Sequence, residues 1–148
     1  MLYLGQQANQ QMGFSEEDFF MEMEGIVSVW AGVFETDKAL KEYFDDMPGR
    51  DIPPFSRDFF DGCDIYPFDT DFSERNVHEF TLDPEALVCH YSEGTVIGPE
   101  LKKLFPQGFE KPYNAAILVY NYKYDPEENT PNPNAPVTFL GAVSCDLD

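Results

Sequence analysis

A chain of 148 residues, 43% hydrophobic and 16% aromatic, can close one core and fold as one domain, which excludes global disorder. Its 28 Asp and Glu against 9 Lys and Arg leave a formal charge of −19, a surface that repels nucleic acid and anionic lipid and attracts basic partners. No apolar run reaches the roughly 18–20 residues of a membrane span, and Cys63, Cys89 and Cys145, widely spaced, read as reduced thiols of a cytoplasmic protein rather than a disulfide framework.

The charge is uneven. Residues 1–85 hold 20 acids and 5 bases, and residues 86–148 hold 8 acids and 4 bases. Residues 1–22 read as an N-terminal extension to a domain at 23–148. Its start, MLYLGQQANQQMGF, has neither a basic n-region nor a sustained apolar h-region, and is not expected to be a secretory signal. Within SEEDFFMEM, Ser15 is an N-cap candidate for a helix with acids in its first turn.

GIVSVWAGVF, residues 25–34, alternates as a strand. Val27, Val29, Ala31 and Val33 share one face, and Ile26, Ser28, Trp30, Gly32 and Phe34 the other. Apolar residues on both faces predict a central strand, with Gly32 leaving room for a close neighbour. Thr36 or Asp37 then caps a helix whose Leu40, Tyr43, Phe44 and Met47 form one stripe, ended by Pro48-Gly49. A short helix is expected at 55–61 with Gly62 closing it, and a short strand around Val77–Leu82. Pro84 opens a helix over about 84–92, and Gly98-Pro99 opens another through Phe105. NAAILVYNYKY, 114–124, reads as a strand with Ala116, Leu118, Tyr120, Tyr122 and Tyr124 on one face and Ala115, Ile117 and Val119 on the other. A Pro- and Asn-rich loop at 125–135 leads to a last strand, 136–147. The expected fold is a single α+β domain, an antiparallel β-sheet with α-helices packed mainly on one face.

Chemistry is scarce. DGCDIYPFDTDF lacks the register of a calcium loop, and no Cys/His pairing suits zinc, so no metal and no cofactor are expected. No nucleophile elbow surrounds a serine, and GVFETD places acids where a phosphate site needs glycines and amides. A small hydrolase using Cys63 or Cys89 with His78 stays open as one alternative, and a general acidic DNA mimic or adaptor for basic proteins as another. The strongest binding candidate is residues 55–72, where aromatics alternate with acids. Asp58, Asp61, Asp64, Asp69 and Asp71 are the candidate partner contacts, with Tyr66 and Phe68 as anchors. The same aromatics could equally fasten an irregular segment to the core, with the acids outside.

GIVSVWAGVFETDKALKEYF resembles the opening of the bacterial immunity protein 22 family, a strand of the form VSxWxGxF followed by an acidic helix. The acid-aromatic stretch SRDFFDGCDIYPFD, the strand NAAILVYNYKY and the short strand VTFLGAV continue the resemblance over about residues 25–145. It implies a non-enzymatic protein of bacterial competition, made beside a polymorphic toxin and neutralising it by direct binding in the producer's cytoplasm. The expected partner is that cognate toxin, a basic one being favoured by the charge, with neither nucleic acid nor membrane as a partner.

Overall fold

The computed structural model describes residues 22–45, 49, 51–63 and 66–145. Strands β1 (Glu22–Gly32) and β3 (Tyr113–Tyr122) form the middle of a four-stranded antiparallel sheet. β2 (Ser73–Thr81) borders β3, and β4 (Val137–Ser144) borders β1. Among the described residues four α-helices accompany it: α1 (Asp37–Phe44), α2 (Pro54–Phe59), α3 (Pro84–Val88) and α4 (Gly94–Leu104). The α+β class, the single domain and the central position of β1 are as expected. The extension at 1–21, Met47, Pro48 and Asp64 lie outside the described residues.

The helices do not gather on one face, which corrects the expected packing. Trp30, Ile117, Val119 and Val137 point to a core closed by Leu40, Tyr43 and Phe44 of α1 and Phe55 and Phe59 of α2. Val27, Val29, Ala31, Ala116 and Leu118 point to a second core closed by Leu87 and Val88 of α3 and Ile97 and Leu101 of α4. The reason lies in β1 and β3 themselves. Each is apolar on both faces, so water must be excluded from both, and one helical layer covers only one.

α1 follows its periodicity closely. The Thr36 hydroxyl accepts the Ala39 amide at 3.1 Å, and Leu40, Tyr43 and Phe44 are buried. Buried Asn114 fixes the path into it, accepting the Phe34 amide at 2.9 Å and donating to the Phe34 carbonyl at 2.7 Å. Gly32 meets the close neighbour its position predicted: a Cβ there would lie 2.4 Å from the Pro136 carbonyl oxygen. The helix expected over 84–92 stops at Val88, and the one expected from Gly98 begins at Gly94. Gly94 packs on the Val88 carbonyl, where a Cβ would sit at 2.0 Å. Pro99 thus falls at the middle of α4, where its missing amide removes one backbone bond, to the carbonyl of exposed Thr95.

The end of β3 also departs from expectation. Tyr122 and Tyr124 join the Trp30 core with Ile117 and Val119, not the face of Ala116 and Leu118. Asn121 has φ +59°, a left-handed conformation that asparagine tolerates better than most residues. The β1–β3 register slips at this point, and alternation resumes one step out of phase. Ser28, fully buried, secures the altered path by donating to the Tyr122 carbonyl at 2.7 Å and accepting the Tyr124 amide at 2.9 Å.

Candidate partner-binding surface

The aromatic half of residues 55–72 faces inward. Phe55, Phe59 and Phe60 surround Trp30, with ring centroids 5.0, 5.8 and 6.2 Å away. Tyr66 and Phe68 are each only 8% exposed and stack on one another at 4.8 Å. The Tyr66 hydroxyl donates to the Phe44 carbonyl at 2.6 Å. Of the two readings of this stretch, fastening to the core is the one these residues perform.

The acids divide by role. Asp58 is a fastener: its carboxylate accepts the Tyr43 hydroxyl at 2.7 Å and the Asn132 side-chain amide at 2.8 Å, and its carbonyl accepts the Asn132 backbone amide at 2.8 Å. This clips the 125–136 loop onto α2. The Tyr43 phenol is held far above its ordinary range, by burial first and by its bond to Asp58 second. Asp61 is exposed at the end of α2, with φ +54°. Asp61 and Asp125 both raise the Tyr124 phenol, and Asp125 and Glu128 the Tyr122 phenol, in each case after burial. Asp61 and the loop acid Asp125, more than sixty positions apart, thus act on the same buried phenol. Asp69 accepts the Asp71 amide at 2.9 Å, capping a 3-10 turn at Thr70–Phe72, and both carboxylates are exposed.

Two clefts adjoin that turn, and Asp71 lines both. One, of about 500 Å³, is lined by Phe44, Asp45, Tyr66, Thr70, Asp71 and Arg75. Here the Arg75 guanidinium lies 4.6 Å from the Phe44 ring centre and pairs with Asp45 at 2.5 Å. The other, of about 380 Å³, lies among Ile26 of β1, Phe72, Glu74 of β2, Glu93 and Tyr120 of β3. Glu74 is at its centre, accepting the Ser92 amide at 3.1 Å, the Ser92 hydroxyl at 2.7 Å and the Tyr120 hydroxyl at 2.6 Å. Burial raises the Tyr120 phenol, and the bond to Glu74 raises it further. Phe72 is 54% exposed at the rim. Sequence reasoning passed over Glu74, Glu93 and Tyr120 because they converge from three separate segments. Phe72 beside Asp71 was the one local signal.

Among the described residues His78 is not joined to a cysteine. The Nε2 of His78 has no hydrogen-bond partner, and its Nδ1 lies 3.1 Å from the Glu79 carbonyl, so neither nitrogen engages a thiol. No three His, Cys, Asp or Glu side chains among the described residues come together as a metal site needs. No described helix is long and apolar enough to cross a membrane.

No curated protein and no solved structure matches the chain. A family model described as Immunity protein 22 matches residues 27–146, from the middle of β1 past the end of β4. With the match covering both cores, the second half of β1 and the whole of β2, β3 and β4, the chain belongs to the Immunity protein 22 family.

Proposed function

We propose that this protein binds the toxin encoded beside it in a polymorphic toxin system and neutralises it by steric and electrostatic occlusion, in the cytoplasm of the producing cell. Membership of the Immunity protein 22 family is the observation that carries the reading. The charge of −19 supports a basic partner, found quickly through long-range attraction. Exposed Asp61, Asp69 and Asp71 are the contacts retained from the expected set, and Asp125 and Glu128 extend the surface near Asp61. The role is one of binding and not of turnover.

Co-expression tests it. Cells producing the neighbouring toxin domain should survive only with this protein, and the purified pair should form a one-to-one complex. Reversing Asp61, Asp69 and Asp71 to Lys should slow association at low salt. Failure of protection together with no complex at micromolar concentration would sink the reading. Equal binding to unrelated basic proteins would favour a general acidic adaptor instead.

A further inference from the structure

The two clefts beside the 3-10 turn are built from the same kinds of residue, yet they differ in one respect. In the first, aromatic Phe44 and acidic Asp45 hold an arginine of the chain itself, Arg75, by ring stacking and an ion pair. In the second, Phe72 and Tyr120 supply the aromatic walls, and Glu74, Glu93 and Asp71 the carboxylates. Among the described residues no Lys or Arg pairs with any of these three acids. Glu74 and Arg75 are neighbours in β2, so their side chains leave opposite faces of the sheet. Arg75 therefore fills one cleft and is turned away from the other.

We propose that the cleft centred on Glu74 receives one arginine side chain of the partner protein. Glu74 is fixed by three neutral donors, the Ser92 amide, the Ser92 hydroxyl and the Tyr120 hydroxyl, so its position is set and no described cation compensates its charge. That is the pre-organised state in which a charged contact gains most, since little ordering remains to be done on binding. A planar guanidinium suits the site better than an ammonium. It can lie on the exposed Phe72 ring as Arg75 lies on Phe44, and bond carboxylates at its edge. Apolar Ile26 gives the aliphatic stem a dry wall. At about 380 Å³ the cleft falls at the small end of ligand pockets, about 300–1,000 Å³, as befits one side chain. The inference rests on the immunity reading only for the identity of the protein that supplies the arginine.

The probe is Nα-acetyl-arginine amide, titrated to millimolar concentration into the isotope-labelled full chain and followed by amide NMR shifts. Shifts should centre on Phe72, Ser73, Ser92, Glu93 and Asn121. The uncharged citrulline analogue should cause none, and Glu74→Gln should weaken the arginine probe about tenfold or more. Absence of shifts there, equal binding of the citrulline analogue, or an unaffected Glu74→Gln variant would overturn the inference. Arg50, the one basic side chain outside the described residues, is the rival occupant from within the chain. Cleft amides that move in probe-free Arg50→Ala would also overturn it. Phe72→Ala, which leaves both cores intact, separates the two proposals. If the toxin binds wild type and both variants equally, the cleft fails and immunity stands. If the toxin binds none of them while the arginine probe still docks, the immunity reading fails alone.

Discussion

Replacing Asp58 with alanine distinguishes a fastening residue from a partner contact. The substitution strips the acceptor from the Tyr43 hydroxyl, which is buried with only 6% of the residue exposed. A hydrogen bond to a charged group contributes about 1.5–3 kcal/mol when lost in this way. The exposed Asn132 amide loses a second bond to Asp58, and can turn to water instead at a cost nearer 0.5 kcal/mol. The total is about 2–3.5 kcal/mol, or a fall in melting temperature of about 5–10 °C for a chain of this size. Urea unfolding monitored by Trp30 fluorescence should give the free energy, and Asp58→Asn, which keeps one acceptor, should recover part of it. A cycle with Tyr43→Phe should show about 1–2 kcal/mol of coupling. A loss below about 0.5 kcal/mol, or no coupling, would mean that Asp58 does not hold the 125–136 loop and Tyr43 together.

Two further outcomes follow from the core and its rings. Gly32→Ala drives a Cβ to within 2.4 Å of the Pro136 carbonyl oxygen and 2.6 Å of Val137 Cγ1; the backbone must move, and thermal unfolding should show a loss of about 2 kcal/mol or more. A melting curve matching wild type would mean that β1 and the entry to β4 are not in that contact. The Tyr43, Tyr91 and Tyr122 phenols are all raised, chiefly by burial. Below about pH 10 folded and unfolded states both keep these protons, so stability is fully present. Above it the unfolded chain releases protons that the folded chain retains, and stability falls by about 1.4 kcal/mol per pH unit for each phenol. Absorbance of tyrosinate and loss of circular dichroism should therefore rise together in one steep alkaline step. Independent titration of all the tyrosines near pH 10 with the fold intact would contradict it.

What could be read in the sequence depended on how local its cause was. β1 and α1 announce themselves by alternation and by a 3–4 residue stripe, and both follow those patterns with Thr36 as the cap. The far end of β3 could not be read so, because one left-handed residue, Asn121, reverses the alternation without altering the composition. Pro84 was a sound helix start, whereas Pro99 was not, since α4 begins earlier, where Gly94 meets Val88. Helices on both faces are implicit in the two apolar faces of β1, although neither face names the helix that covers it. In the candidate surface, the acids and aromatics of 55–72 stand out, but their division into fasteners and exposed carboxylates depends on Tyr43 and Asn132, partners remote in sequence. The Glu74 cleft exists only once β1, β2, β3 and the segment before α4 are brought together.

The double-sided burial of β1 and β3 also sets where this protein has freedom to change. From Val27 to Ala31 every side chain enters an enclosed space, so almost any replacement there disturbs packing on one side of the sheet or the other. The rim formed by Asp71, Phe72 and Glu93 is under no such constraint, being absent from both cores. Altered residues there leave the sheet beneath as it is. The recognition surface proposed above can therefore be revised at a few rim positions at little cost to folding.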